Sequence, residues 1–412
     1  MIQVPDGWEI KPFSSLASIN MGQSPESEFV NENQEGIAFL QGNADFGDIN
    51  PKELYWVKVP KKLAKKDDIL ISVRAPVGDI NMADKEYCIG RGLSALTIKK
   101  INQKFGFYAL FQERIQLDRL AQGSTFLAIG KNDFDKLLIK YPKEKIEQEK
   151  IAKILSTLDN AIESTNRIIE KEKNIKTALM QELLANGIDQ NGQIRTPQTH
   201  TYKPSELGLI PDEWEIVSLG EIGNFKNGVN KSKDDFGFGR PFINLQDVFG
   251  HWEIEHSDFD LVNATDEELK NYNLKKGDIL FIRSSVKPSG VGLTALIKED
   301  ISNTIYSGFI IRFRSKEKVF NNEYKKYCFH DELFRKKLLQ KSTVSANSNI
   351  NQESLSSLSL LLPPVKEQIQ IAKILSTKDK KIEIEETNRA KLKELKKGLM
   401  NDLLSGEVRV KV

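Results

Sequence analysis

Two stretches of the chain repeat apolar residues at steps of three and four with charged residues between them, which predicts two long amphipathic helices. The apolar residues of the first stretch are Ile151, Leu155, Leu158, Ile162, Ile169, Ile175, Leu179 and Leu183. Those of the second stretch are Ile371, Leu375, Ile382, Leu392, Leu395, Leu399 and Leu403. A helix of about 37 residues is roughly 55 Å long, and its apolar seam needs a partner. The pattern therefore predicts that the two helices pack on each other as a coiled coil, and it leaves their relative direction open.

Before each helical stretch, short apolar runs rich in β-branched residues alternate with turn residues, a pattern typical of β-strands. The runs are IAFLQG, DILISV and LSALTI in the first part, and PFINL, DILFIR and FIIRF in the second. A short helix is predicted over residues 108–122 and another over 324–341, each followed by a strand-like run, LLIKYP or LSLLLPP. The expected fold class is α+β, with two mixed α/β domains joined by the two long helices.

An internal repeat relates the two halves of the chain. Residues 151–157 and 371–377 both read IAKILST, 220 positions apart. Weaker matches lie upstream, PDGWEI against PDEWEI at an offset of 206 and KKDDILI against KKGDILF at an offset of 210. The chain is therefore interpreted as two copies of one unit of about 200 residues. Because the first part of each copy has diverged and the last part has not, one variable function and one shared function are expected.

The repeat divides the chain into five predicted segments. These are a first mixed domain at residues 1–144, a long helix at 145–187, a linker at 188–204, a second mixed domain at 205–365, and a second long helix with a C-terminal tail at 366–412. The linker is predicted because that segment has no apolar periodicity.

Composition narrows the class of protein. The 412 residues include 60 basic and 58 acidic side chains, and the two mixed domains hold 19 against 19 and 20 against 23. Neither domain is therefore strongly basic, so strong non-specific DNA binding by an isolated domain is not expected. No apolar run is long enough to span a membrane, and Cys88 and Cys328 form no CxxC pair, so a cytoplasmic protein without disulfides is expected.

Motifs for catalysis are absent from the sequence. The only double proline is Pro363–Pro364 in LLPPV, so the NPPY or DPPF motif of an amino-methyltransferase is missing, and no GxxxxGK[ST] loop occurs. The histidines are scattered, and His251 and His256 in HWEIEH are interpreted as a polar strand or loop pair rather than as metal ligands. No metal, no cofactor and no catalytic residue is predicted, and the cysteines are expected to be buried.

The openers PDGWEI and PDEWEI, the central DILIS and DILFI, and the endings YPKEKIEQEKIAKILST and LPPVKEQIQIAKILST resemble the DNA-specificity subunit of type I restriction-modification systems. The likeness covers nearly the whole chain. In the first copy, Pro142 is followed by Lys143 where the family has a second proline, and the helix pattern that follows is intact.

The resemblance implies two target-recognition domains that each read one half of a bipartite site in double-stranded DNA, related by pseudo-two-fold symmetry. It implies that the long helices form an antiparallel coiled coil that sets the distance between the half-sites. It also implies two methyltransferase subunits and two restriction/translocase subunits as partners, with S-adenosylmethionine bound by the methyltransferase. The specificity subunit itself would be non-catalytic.

Base edges are read by the donors and acceptors of Arg, Asn, Gln, Lys and Ser side chains on loops. Loops with such residues match between the copies, at 22–27 and 228–233, 41–45 and 244–247, and 74–78 and 283–290. The predicted DNA-binding residues are Gln23, Ser24, Gln41, Asn43, Arg74, Arg91, Asn230, Lys231, Lys233, Asn244, Gln246, Arg283, Ser284 and Lys287. The candidates for phosphate contact are Lys58, Lys61, Lys62, Lys65, Lys66, Lys325, Lys326, Arg335, Lys336 and Lys337.

Two other classes of protein stay open at this point. A structural coiled-coil scaffold whose repeated domains bind proteins would share the helices and the repeat. A free-standing nuclease would need a metal-binding carboxylate pair, and no such pair stands out from the general charge of the helices. For the loops and lysine groups, the alternative is ordinary solvated surface.

Overall fold

A computed structural model of the chain describes residues 4–122, 128–255, 258–344 and 348–411. Its contacts divide the chain into two compact units. Unit 1 comprises residues 1–167 and 386–412, and unit 2 comprises residues 168–385. Each unit therefore holds one mixed α/β part together with half of each long helix.

Unit 1 contains eleven strands in its described part and begins the first long helix. The strands are β1 (Trp8–Pro12), β2 (Ala17–Met21), β3 (Val30–Asn31), β4 (Ile37–Leu40), β5 (Tyr55–Val57), β6 (Leu63–Ala64), β7 (Ile69–Ser72), β8 (Ile80–Met82), β9 (Tyr87–Ile89), β10 (Leu93–Ile98) and β11 (Leu138–Pro142). The helices are α1 (Gln103–Gln112), α2 (Arg114–Gln122) and the long α3 (Lys145–Ala185). The strands form sheets in the orders β2-β10-β7-β8, β3-β5-β4-β9-β6 and β1-β11.

Unit 2 has the same plan with more strands. They are β12 (Tyr202–Ser205), β13 (Gly208–Pro211), β14 (Glu215–Ser218), β15 (Gly223–Asn227), β16 (Phe236–Ile243), β17 (Glu253–Ile254), β18 (Asp260–Val262), β19 (Ile279–Ile282), β20 (Ser284–Ser285), β21 (Thr294–Ile297), β22 (Ile305–Tyr306), β23 (Ile310–Ser315), β24 (Thr343–Val344), β25 (Ser348–Asn349) and β26 (Ser359–Leu362). The helices are α4 (Leu219–Ile222), α5 (Leu245–Val248), α6 (Asp266–Tyr272), α7 (Asn322–Cys328), α8 (Glu332–Lys341), α9 (Gln352–Ser356) and the long α10 (Val365–Ser405). The main sheet has the order β15-β23-β19-β21-β17.

The sheets confirm the predicted strands and the repeat. In both units the strand that begins directly after the aspartate of DIL pairs antiparallel with the strand of the third apolar run, β7 with β10 and β19 with β23. In both units the strand of the first run pairs in parallel with a short strand, β4 with β9 and β16 with β22. Each predicted short helix is instead two helices, because the chain leaves helical geometry at Glu113 and between Cys328 and Glu332.

The two long helices pack antiparallel, as the family resemblance implied. In unit 1, Asp159 of α3 pairs with Lys396 of α10 at 2.6 Å, and Asn166 accepts a hydrogen bond from Arg389 at 3.3 Å. In unit 2, Glu172 of α3 accepts from Lys381 at 2.6 Å. Rising numbers on α3 thus meet falling numbers on α10, which settles the direction that periodicity left open.

The identical IAKILST segments dock the long helices onto the mixed parts. Ile151 and Leu155 lie in the hydrophobic core of unit 1, and Ile371 and Leu375 lie in that of unit 2, each with no exposed surface. The far end of the other long helix completes each core, with Leu403 in unit 1 and Leu183 in unit 2. Burying each such side chain contributes about 1.5–3 kcal/mol to the stability of the fold. The buried residues of the shared segment are therefore explained by packing.

The segment predicted as a linker, residues 188–204, packs within unit 2. Ile188 is buried, and the Arg195 guanidinium donates to the Glu367 carboxylate at 2.6 Å with both side chains almost inaccessible. The sequence does not reveal this packing, because two anchored side chains among polar residues form no periodic pattern. Across the described ranges, no helix combines the length and the apolar composition needed to cross a bilayer.

Candidate nucleic-acid interface

The loops predicted to read DNA in unit 1 converge at one end of the sheets. Gly90 donates its N–H to the Leu40 carbonyl at 2.8 Å, and Gly22 donates to the Leu93 carbonyl at 2.9 Å. A Cβ atom on Gly22 would lie 2.2 Å from the Gly90 carbonyl oxygen, so only glycine permits this approach. The segments that follow β2, β4 and β9 therefore form one continuous surface.

The predicted residues of unit 1 lie on this surface or beside it. The exposed ones are Gln23, Ser24, Gln41, Arg74 and Arg91. Asn43 is half-buried, and its amide donates to the Asp79 carboxylate at 2.9 Å.

The corresponding loops of unit 2 also converge. Ser307 donates its N–H to the Ile243 carbonyl at 2.9 Å, and Gly308 donates to the Val229 carbonyl at 2.8 Å. Asn230 lies over Gly308 so closely that a Cβ atom there would be 2.0 Å from its side-chain oxygen. The loops after β15, β16 and β22 thus meet as their counterparts do in unit 1.

The predicted residues of unit 2 differ in how available their side chains are. The exposed ones are Asn230, Lys233, Gln246 and Lys287, and the half-buried ones are Lys231, Asn244, Arg283 and Ser284. Three of the half-buried side chains have internal partners. Lys231 pairs with Glu268 at 2.7 Å, Asn244 accepts from the N–H of Leu245 at 2.9 Å, and the Arg283 guanidinium donates to the Gly308 carbonyl at 3.3 Å.

Arg74 and Arg283 do not occupy equivalent positions. Val73 donates its N–H to the Gly92 carbonyl at 2.9 Å, and Arg283 makes the same bond to the Phe309 carbonyl at 2.8 Å. Arg283 therefore corresponds to Val73, and Arg74 lies one residue further on, where an extended chain points its side chain to the opposite side. The matching of the two arginines is corrected by one residue, and their contact with DNA stays a prediction.

Two of the lysines predicted to contact phosphate are inside the protein. Lys325 donates to the Gly277 carbonyl at 2.5 Å, and burial lowers its pKa to about 8. Lys326 lies between Glu253 at 3.1 Å and Asp379 at 3.0 Å. The prediction was wrong for both because a run of charges does not show which members point inward.

The other phosphate candidates have mixed environments. Arg335 donates to the Ser289 carbonyl at 3.0 Å, and burial lowers its pKa. Lys58 and Lys61 form surface ion pairs with Glu35 and Glu26. The remaining members stay candidates. Lys337 is half-buried, and the exposed ones are Lys62, Lys65, Lys66 and Lys336.

A family model described as the type I restriction modification DNA specificity domain matches residues 5–173 and again 211–394. The chain belongs to this family. The two matches fall on the two copies of the repeat, and each includes one mixed part and most of the long helix that follows it.

Individual relatives agree with the family. The type I restriction enzyme MjaVIII specificity subunit of Methanocaldococcus jannaschii is 26% identical over all of this chain and 95% of its own length. The EcoKI specificity subunit of Escherichia coli is 26% identical over 90% of this chain and 82% of its own. The putative MjaX specificity subunit, also of M. jannaschii, is 38% identical, but the match spans 45% of this chain and 44% of that protein.

Solved structures share the fold. The S subunit of a type I restriction-modification system from Mycoplasma genitalium has a TM-score of 0.61 at 17% identity and covers 97% of both chains. A chain from a study of type I complex assembly has a TM-score of 0.58 at 16% identity and covers 98% of this chain and 100% of that one.

In this specificity subunit, a polar cluster ties each mixed part to both long helices. Asp379 accepts from Tyr327 at 2.7 Å and from Lys176 at 2.5 Å. Burial opposes the charge on Asp379, yet the hydrogen bonds from Lys176 and Tyr327 keep its pKa below the ordinary value. Sequence reasoning missed this cluster, although the match of Asp159 with Asp379 in the repeat was its visible signal.

The same cluster recurs in unit 1. Asp159 accepts from Tyr108 at 2.6 Å and pairs with Lys396 at 2.6 Å. Burial raises the pKa of Tyr108, so the phenol stays protonated and donates to the carboxylate. Each cluster thus joins α3, α10 and a helix of the mixed part within its own unit.

Groups with catalytic potential are buried or dispersed. Cys88 and Cys328 are buried, as predicted, and burial raises the pKa of both thiols. His251 is exposed in a loop, whereas His256 lies outside the described residues. Within the part of the chain that the structure describes, no group of three or more His, Cys, Asp or Glu side chains is placed to hold a metal ion.

Proposed function

We propose that the chain reads a bipartite DNA site, with one half-site recognised by each unit, and positions methyltransferase subunits that carry the chemistry. The observation that carries this proposal is the contrast within the repeat. The two units share sheets, helix clusters and loop positions, but the side chains on the converging loops differ. A shared frame with different reading residues is what a site with two unlike halves requires.

The side chains at the loop ends suit base edges. Gln23, Gln41 and Arg91 are exposed in unit 1, and Asn230 and Gln246 are exposed in unit 2. Amides and guanidinium groups pair with the donors and acceptors of the major groove. The framework beneath them is held by backbone hydrogen bonds, so these side chains are presented without a large cost of ordering the loop.

The near-neutral charge of both mixed parts supports a role within a complex. Non-specific affinity for DNA comes mainly from neutralised phosphates, and neither part has an excess of basic residues. We propose that the methyltransferase subunits, and restriction/translocase subunits where they join, supply the remaining affinity. S-adenosylmethionine and catalysis belong to the partners in this proposal.

Two copies of one exposed patch support docking of two copies of one partner. Lys153 and Thr157 are exposed on α3, and the identical pair Lys373 and Thr377 is exposed on α10. Packing explains the identity of the buried residues in IAKILST but not that of these exposed ones. In unit 1, an apolar groove of about 480 Å³ adjoins the patch, with Ile154 in its lining.

Methylome sequencing of a host with and without this gene tests the proposal. Adenine methylation at one bipartite motif, present only with the gene, is the expected result. A complementary test mixes the chain and its methyltransferase subunit with a randomised duplex library. A host methylome without gene-dependent methylation at a split motif, or a duplex library from which no split motif is enriched, would show that the chain does not read DNA in this way.

A further inference from the structure

Unit 2 has an open apolar cleft at its reading end. The cleft has a volume of about 510 Å³ and lies between α5, the loop after β19 and the start of β23. Its walls include Phe249, Val286 and Phe309, which are 53%, 81% and 54% exposed. Large apolar side chains exposed together, with polar groups at the rim, are typical of binding surfaces.

The rim of the cleft carries hydrogen-bond donors. Gln246, Ser284 and Lys287 line it together with the apolar walls. Among the described residues of the lining, Lys287 is the only charged one, so the cleft favours an electronegative group. These three side chains are also among the residues that the sequence alone predicted to contact DNA.

The loop that carries Lys287 is held in place. Ser284 and Ser285 pair with Asn349 and Ser348 in a short antiparallel ladder. Gly290 closes the loop by donating its N–H to the Lys287 carbonyl at 2.9 Å. The cleft is therefore preformed, which reduces the cost of binding.

We infer that this cleft receives the 5-methyl group of a thymine in the half-site read by unit 2. The inference rests on the proposed function. In the major groove, thymine presents a methyl group beside the O4 acceptor, whereas cytosine presents an amino donor and guanine presents acceptors without a methyl group. Phe309 and Val286 exclude water from the methyl group, and Lys287 donates to O4.

The repeat provides a contrast within the same chain. The hydrogen bonds of Val73 and Arg283 place Gly92 at the position that corresponds to Phe309. Unit 1 thus lacks the aromatic wall at this position. Recognition that depends on Phe309 is expected in only one half-site.

The test uses the chain assembled with its methyltransferase subunit and duplexes that carry the motif found by methylome sequencing. Each thymine is replaced in turn by uracil, which removes only the methyl group. Uracil at one thymine is expected to weaken binding about fourfold, the equivalent of one buried methyl group. The other thymines serve as internal controls.

Variants identify the cleft as the cause. In Phe309→Ala, binding to thymine and to uracil duplexes is expected to become equal at that position. Phe238→Ala removes a phenylalanine of the same unit that is 53% exposed and outside the cleft lining, and the fourfold ratio should persist. If Phe309→Ala folds poorly, Val286→Ala replaces a side chain that is 81% exposed and should reduce the ratio without harming the fold.

The outcomes separate this inference from the proposed function. A motif that is bound specifically with no thymine-to-uracil effect, or with an effect that persists in both variants, would overturn the cleft assignment and leave bipartite reading intact. Variants that weaken assembly with the methyltransferase subunit and leave the ratio unchanged would show a protein-docking cleft instead. Absence of any sequence preference would overturn the proposed function itself.

Discussion

Replacing Glu367 with alanine is expected to destabilise unit 2 by about 3–5 kcal/mol. The Glu367 carboxylate accepts from the Arg195 guanidinium at 2.6 Å, from the Trp214 indole N–H at 3.1 Å and from the Ile188 N–H at 2.9 Å. The side chains of Glu367 and Arg195 are 7% and 10% exposed. Removing the carboxylate therefore leaves a buried cation and two buried donors without this acceptor, and Arg195 keeps only its 3.2 Å contact with the exposed Glu213.

The repeat offers a matched control at Glu147. It stands 220 positions earlier and binds the Arg409 guanidinium at 2.7 Å, but the Arg409 side chain is 44% exposed. Once freed, that cation is hydrated, so Glu147→Ala is expected to cost about 1 kcal/mol. The two equivalent glutamates are both buried. Their replacement is expected to change the stability by different amounts because the partners of Glu367 are buried, whereas the partner of Glu147 is partly exposed.

Urea unfolding followed by circular dichroism measures the difference. The midpoint multiplied by the slope gives the free energy of unfolding for each variant, and the slope should not change. Glu367→Ala is expected to exceed Glu147→Ala by about 2 kcal/mol or more. Equal losses in the two variants, or a loss at Glu367 below about 1 kcal/mol, would refute the argument from burial.

Two further predictions concern recognition and pH. Arg283→Ala and Arg74→Ala should each relax specificity in one half-site by about 1–3 kcal/mol, measured as methylome motif preference, and two unaltered half-sites in both variants would contradict the assignment. Burial lowers the pKa of His330, which stacks on Trp252 at 4.0 Å, to about 4, below its ordinary 6.5. Because the unfolded chain takes up this proton first, the contribution to stability is complete above pH 6.5 and is lost as the pH falls towards 4, by up to about 3 kcal/mol. In His330→Phe, the free energy of unfolding should no longer fall with pH through this group between pH 6.5 and pH 4. An equal dependence of the free energy of unfolding on pH in the two proteins would contradict the prediction.

The long helices and the strands were predictable because burial leaves a period in the sequence. Steps of three and four marked α3 and α10, and the DIL runs marked β7 and β19. Periodicity reports which face of an element is buried and not what covers it. For this reason it left the direction of the helices open and gave no sign that Arg195 anchors the predicted linker.

The positions of the candidate loops could be predicted from the sequence, but the residue-by-residue match between the two copies could not, and whether these loops contact DNA stays a prediction. Backbone hydrogen bonds decide which loop residues correspond, and these bonds have no signature in side-chain composition. Arg74 and Arg283 were therefore matched one residue out of register. The same limit applies to Lys325 and Lys326, since a short amphipathic helix does not reveal from charge alone which lysine turns inward.

The contacts between each long helix and its mixed part give a physical reason why one part of each copy is shared and the other has diverged. Gln148 accepts from the Asn102 N–H at 2.7 Å, and its repeat partner Gln368 accepts from the Asn321 N–H at 2.8 Å. Each glutamine thus binds the residue that caps a helix of its own mixed part. Since Gly92 and Phe309 take no part in these contacts, the residues at the loop ends can differ without disturbing them. In the proposed function, a change in the DNA sequence that a unit recognises therefore needs no change in the contacts between the long helices and the mixed parts. This explains why the copies differ at their loops and agree along their helices.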